Sequence, residues 1–226
     1  MRENIRAYWS IWLLLLSFCA AGVVVLLSWR STVRGLPDTV GRELSLRELE
    51  EVIGRNSPLT GYVYLSPNAD FPRERPIQKI TIHHMAGNIA LDRLGEVFAE
   101  PDRQASANYA IDGEGRVALY VEEANRAWTS SNPGNDHQAV TIEVANDETG
   151  GDWHVSDTAY DALIELCVDI CRRNGMSELT YTGDETGSLT IHKMFNPNTE
   201  CPGLYLESRM PDIAEEVSRR LAKNSG

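Results

Sequence analysis

Three tripeptides of like make-up carry the residues in this chain most able to do chemistry: Thr81-Ile82-His83, Thr141-Ile142-Glu143 and Thr190-Ile191-His192. Cys201 follows the third, in a Cys201-Pro202-Gly203 turn. Imidazole nitrogen and thiolate sulfur are both good zinc ligands. One His and one Cys nine positions apart are a weak signal alone; the repeated tripeptide strengthens it. Each copy lies in a run that reads as a strand, and side chains alternate across a strand. Ile80, Ile82, Val140, Ile142, Val144, Leu189 and Ile191 then share aliphatic faces, and His83, Glu143 and His192 project from the opposite side. Two histidines with Cys201 make a three-ligand Zn2+ set with an open fourth position. Glu143 stands beside it as a carboxylate able to activate bound water.

His83 and His84 are adjacent, so they point to opposite faces. Alternation makes His83 the ligand. His84 is a half-buried histidine with a hydrogen bond, or a support for the site from behind the ligands. His137 and His154 read as solvated loop residues. Lys193 could neutralise an oxyanion or simply face solvent. Thr199, two residues before Cys201, could donate to a reacting carbonyl. Trp128, Asn88 and Asn146 could contact an amide- and sugar-rich substrate, with ordinary structural roles equally open.

The elements that must position these groups follow from pattern. Ser45 with Glu48 forms a capping box and Leu44 with Leu49 a staple, so a short helix starts there and ends at Gly54. It either packs on the domain or acts as a spacer. A globular domain is expected over 61–226, with strands at 62–65, 80–84, 108–112, 116–121 and around Glu143 and His192. Helices are expected from Leu91 to Phe98 and over 157–174, the latter capped by Ser156. Pro211 is expected to open a last helix at the first-turn position it tolerates. Residues 122–138 read as a polar loop. Strands interleaved with helices predict an α/β fold, a mixed central sheet flanked by helices.

The chain has 226 residues and a formal net charge of −12, which argues against sequence-independent nucleic-acid binding. Its four cysteines (19, 167, 171, 201) are too few and scattered for a disulfide framework. Cys167 and Cys171 sit one helical turn apart among aliphatic residues and read as buried apolar groups. Residues 8–29 carry no charge, and about 20 apolar residues suffice to cross a bilayer. Tyr8, Trp9 and Trp29 fit the interfacial belts. The run continues through Val24–Leu27 past Ala20-Ala21-Gly22, which disfavours signal cleavage. Residues 1–30 are therefore expected to be a transmembrane anchor and 31–60 a juxtamembrane linker. Arg2 and Arg6 before the span nearly balance Arg30 and Arg34 after it, so charge leaves its orientation open.

These residues resemble the zinc-dependent N-acetylmuramoyl-L-alanine amidases, the superfamily of peptidoglycan recognition proteins and phage amidase endolysins. The resemblance covers roughly 60–210. It rests on Ile82-His83-His84-Met85-Ala86-Gly87, Ser106-Ala107-Asn108-Tyr109-Ala110-Ile111 with Gly115-Arg116-Val117, Arg126-Ala127-Trp128, Val140-Thr141-Ile142-Glu143, and His192 through Gly203. It implies zinc on His83, His192 and Cys201. A tyrosine assists catalysis in one branch, at a position that is Ala107 here; the glutamate of the other branch maps onto Glu143. The residue two before the cysteine is Lys or Thr in relatives, here Thr199. The implied reaction cuts the amide between N-acetylmuramic acid and L-alanine. Peptidoglycan lies outside the membrane, which implies a single-pass anchor with the domain extracytoplasmic. A non-catalytic peptidoglycan-binding module on the same fold is the alternative. A thiol enzyme using Cys201 with His192 is weaker, because it leaves His83 and Glu143 without roles.

Overall fold

A computed structural model describes residues 36–223; the expected anchor over 8–29 lies outside them. Among the described residues no helix is long and apolar enough to cross a membrane.

The three tripeptides form the middle of the sheet. Lys79–His84 (β3), Ala139–Val144 (β7) and Leu189–Ile191 (β8) are parallel strands in register: Thr81 pairs with Thr141 and Thr190, Ile82 with Ile142 and Ile191. Thr60–Val63 (β1), Tyr109–Ile111 (β4) and Val117–Leu119 (β5) complete a mixed six-stranded sheet in the order β1-β5-β4-β7-β3-β8. β4 and β5 are the antiparallel pair, joined through a turn where Gly115 takes φ +77°. Ala69–Asp70 (β2) pairs with Arg126–Ala127 (β6) in a separate two-stranded sheet.

Ile80, Ile82, Val140, Ile142, Val144, Leu189 and Ile191 are all buried in one cluster, as alternation predicts. Two long helices cover that face. The first, Asp157–Arg173, is capped by the Ser156 hydroxyl accepting from the Ala159 amide. The second, Leu204–Lys223, buries Tyr205, Leu206, Met210, Ile213, Val217 and Leu221. Leu91–Ala99 covers the other face through Leu94 and Phe98, packed on Ala110, Ala118 and Tyr120. Counting also Leu46–Arg55 and the short Pro133–Asp136, the α-helices among the described residues are α1 (46–55), α2 (91–99), α3 (133–136), α4 (157–173) and α5 (204–223).

Three departures from pattern are informative. Pro211 lies inside α5 rather than opening it. The helix starts at Leu204, and burial of Tyr205, Leu206 and Met210 outweighs the hydrogen bond that proline removes. The capping box forms as expected, but α1 runs on through Gly54, and Val52 is buried in the main core with Val40 and Leu44 against it. A compact unit accordingly begins at Thr39, and the short helix packs on the domain. The 122–138 stretch, expected as loop, contains β6 and α3, whose Asn132 side chain caps the Asn135 amide.

Candidate metal centre and active site

Parallel strands bring their C-terminal ends to one edge, which is where open α/β sheets bind ligands. There β3 sets His83 opposite Glu143 of β7, and His192 follows the last paired residue of β8 into a short helical turn. The His83 and His192 rings lie 4.6 Å apart between centroids. The 192–203 segment folds back so that the Lys193 amide donates to the Cys201 carbonyl (3.1 Å) and the His84 amide to Cys201 Sγ (3.4 Å). The Thr199 hydroxyl accepts from the Cys201 amide at 3.1 Å, fixing the turn. One ligand atom each from His83, His192 and Cys201 then lies within 4.8 Å of the others. Zinc bonds of about 2.0–2.3 Å close on such a set with small side-chain shifts.

Below this tier lies one of hydroxyls. Thr81 and Thr190 Oγ1 are 2.9 Å apart, Asn135 Nδ2 donates to Thr81, and Thr141 Oγ1 lies 2.8 Å from Thr129 Oγ1. The polar face is thus as buried as the aliphatic one. Its hydrogen bonds fix the strands that carry the ligands.

The electrostatics fit a cation. Eight buried side-chain polar atoms lack a partner among the described residues, and three belong to this site: His83 Nε2, Glu143 Oε2 and His192 Nε2. Buried groups are normally satisfied, so such a concentration points to a missing ligand. Burial lowers the pKa of His192, and lowers that of His83 further with help from neighbouring His192 and His84; both imidazoles are therefore neutral and able to ligate. Burial, and then Glu143 nearby, pushes the Cys201 thiol well up. Burial also raises Glu143 to about 8, against the pull of the Arg103 guanidinium. A divalent ion would reverse both upward shifts. The residues therefore fit zinc: two neutral nitrogens, one thiol able to ionise, and a carboxylate beside them.

The other expected site residues are placed as follows. Lys193 is exposed, and its ammonium pairs with Glu207 of α5 at 3.0 Å. Asn146 is buried, with both ends of its amide committed: Oδ1 accepts from Gly87 N (3.3 Å) and Nδ2 donates to the Trp153 carbonyl (2.8 Å). It fastens two loops. Asn88 is exposed, its amide set over Gly113, where an added Cβ would come within 2.9 Å. Trp128 is half-buried, its indole donating to Asp70 Oδ1 at 2.9 Å, and it lines a cavity of about 420 Å³ with Gln104, Arg126 and Asp136. His137 is buried, and its Nδ1 accepts from the Glu74 amide. Sequence reasoning missed Arg103, the charge that acts on Glu143, and Trp153, which packs on His84. Neither belongs to a periodic pattern.

The family model described as N-acetylmuramoyl-L-alanine amidase matches residues 73–204, more than half of the chain and all four centre residues. The chain belongs to this amidase family. Solved structures share its fold. The XlyA catalytic domain is 15% identical, covering 69% of this chain and 97% of that one, with a TM-score of 0.52. An AmpD structure is 19% identical over 71% and 93%, TM-score 0.51. PlyL is 14% identical over 74% and 91%, TM-score 0.50. No curated protein matches the sequence. At these identities the likeness is one of fold; the amidase assignment rests on the family match.

Proposed function

We propose that the protein is a zinc-dependent amidase that hydrolyses the bond between N-acetylmuramic acid and L-alanine in peptidoglycan. The observation that carries this reading is the convergence of the unpartnered His83 and His192 nitrogens with Cys201 and Glu143 at one strand edge. His83, His192 and Cys201 hold the ion. Zinc held by these residues would supply Lewis acidity, polarising an amide carbonyl and lowering the pKa of water toward neutrality. Glu143 takes a proton from the attacking water and returns it to the departing nitrogen. Water's hydroxyl ends on the lactyl carbonyl carbon, the C–N bond breaks, and L-alanine leaves with a free amino group. Thr199 keeps its own hydroxyl proton for the developing oxyanion while its oxygen holds the Cys201 amide. Lys193 is not needed for that task, being paired with Glu207. Trp128 and Asn88 remain the aromatic and amide contacts for the glycan-peptide.

The uncharged run over 8–29 is the basis for placing the enzyme at the cell membrane, single-pass, with its domain extracytoplasmic. That makes the membrane a partner besides peptidoglycan. The test of the catalytic assignment is Glu143→Gln in the full chain. Its zinc content should equal that of the parent, while turnover falls about 10²–10⁴-fold, the usual worth of a general acid–base group. Parental turnover in that variant would remove Glu143 from the reaction. Zinc and sacculus binding with no cleavage by the parent would favour a binding module.

A further inference from the structure

Trp153 adopts φ +61°, a left-handed backbone that a bulky side chain rarely takes. Gly150 and Gly151 just before it also have positive φ, so local turn chemistry favours glycine here, and the chain keeps a tryptophan instead. An outlier of this kind is held by its surroundings, and those surroundings are the three segments that build the metal centre. The indole meets the His84 ring edge-to-face, 4.7 Å between centroids, at the end of β3. Its Nε1 donates to Glu200 Oε2 (3.3 Å), the residue before Cys201. Its Cβ presses on Gly203, where an added Cβ would lie only 2.4 Å away. Its carbonyl accepts from Asn146, three residues beyond Glu143 on the exit from β7. Next to it, the Tyr205 amide donates to the Asp152 carbonyl and ties the same loop to the start of α5.

Cys201 reaches the histidines from a loop, not from a strand: the His84 and Lys193 amides tie it to the strand ends, but no strand pairing carries it. We infer that Trp153 is the positioning residue for the metal centre: its indole, wedged between His84 and the 200–203 turn, sets the approach of Cys201 to His83 and His192. Groups that orient metal ligands commonly contribute 10–100-fold in metal affinity. This inference rests on the zinc reading given above.

The test compares parent, Trp153→Gly and Trp153→Phe in the full chain, with zinc affinity measured by competition against a chromophoric chelator. The thiolate-to-cobalt charge-transfer band of the Co2+-loaded forms reports the Cys201 bond. Trp153→Gly relieves the backbone and removes the wedge. It is expected to bind zinc 10–100-fold more weakly and to lose intensity in the thiolate band. Trp153→Phe keeps the ring between His84 and Gly203 and is expected to restore the band and most of the affinity. Trp153→Asn, which tolerates the left-handed backbone, serves in the same assays if the glycine variant does not fold. Parental affinity and an unchanged band in the variants lacking the ring would overturn the inference. A parent that binds no zinc would instead overturn the metal centre itself.

Discussion

Cys201 and the two histidines enter the site in different protonation states, and this has a measurable consequence. Burial keeps His83 and His192 neutral but keeps the Cys201 thiol protonated, its pKa raised well above the ordinary value. Zinc takes the thiolate and favours the Glu143 carboxylate, held up at about 8 without the ion, so loading at neutral pH should release between one and two protons. Titration calorimetry in buffers of different ionisation heat should find this release, and Cys201→Ser should remove the thiol's share of it. The sign follows: below the raised Cys201 and Glu143 pKa values each bound ion displaces protons from both, so apparent affinity should fall more than tenfold for each pH unit of acidification. A flat profile would mean that Cys201 does not ligate. Chemistry of this kind was legible in the sequence because His83, Glu143 and His192 follow the same Thr-Ile step on strands of period two. Arg103 and Trp153 were not, since one acts through space from a short 3-10 turn and the other depends on a positive φ that no neighbouring pattern announces.

The strands β3, β7 and β8 carry two stacked tiers, threonines beneath ligands, and the lower tier has its own energetic signature. Thr81→Val keeps the shape but leaves Asn135 Nδ2 and the Thr190 hydroxyl without their 2.9 Å partner. Both keep longer contacts, Thr190 to the Ile80 carbonyl at 3.3 Å and Asn135 to Ser130 Oγ at 3.4 Å, so the cost is that of the lost hydrogen bonds, about 0.5–1.5 kcal/mol each. Denaturant unfolding of the metal-free variant should show that loss, and an unchanged midpoint would mean that water fills the gap at no cost. Alternation made these strands and their registry readable. The ends of elements were less so: Pro211 signals a helix start, yet α5 begins at Leu204 because its first turn buries Tyr205 and Leu206. The small β2–β6 sheet joins stretches far apart in sequence, each only two residues long, too short for periodicity to register.

The domain as a whole is a sheet with an aliphatic core on one side, a hydroxyl-lined layer on the other, and a set of unsatisfied ligand atoms at one edge. An ion that binds only the folded state stabilises it by about 2.7 kcal/mol at a hundredfold excess over Kd. For a domain of this size that should appear as a rise of roughly 5–10 °C in Tm, reversed by chelator and absent in His192→Ala. The fold class was readable from strands interleaved with helices, and the family from five short blocks in fixed order. The association of 39–60 with the core was not, since only long-range packing of Val40, Leu44 and Val52 reveals it. The central claim is that this edge cleaves the muramoyl–alanine amide, and mass spectrometry of soluble fragments from purified peptidoglycan tests it most directly. Zinc-loaded full-length protein should release stem peptides that begin with a free L-alanine amino group, and His192→Ala should release none. Intact sacculi after incubation with zinc-loaded protein, or fragments cut only within the glycan or between peptides, would contradict the account.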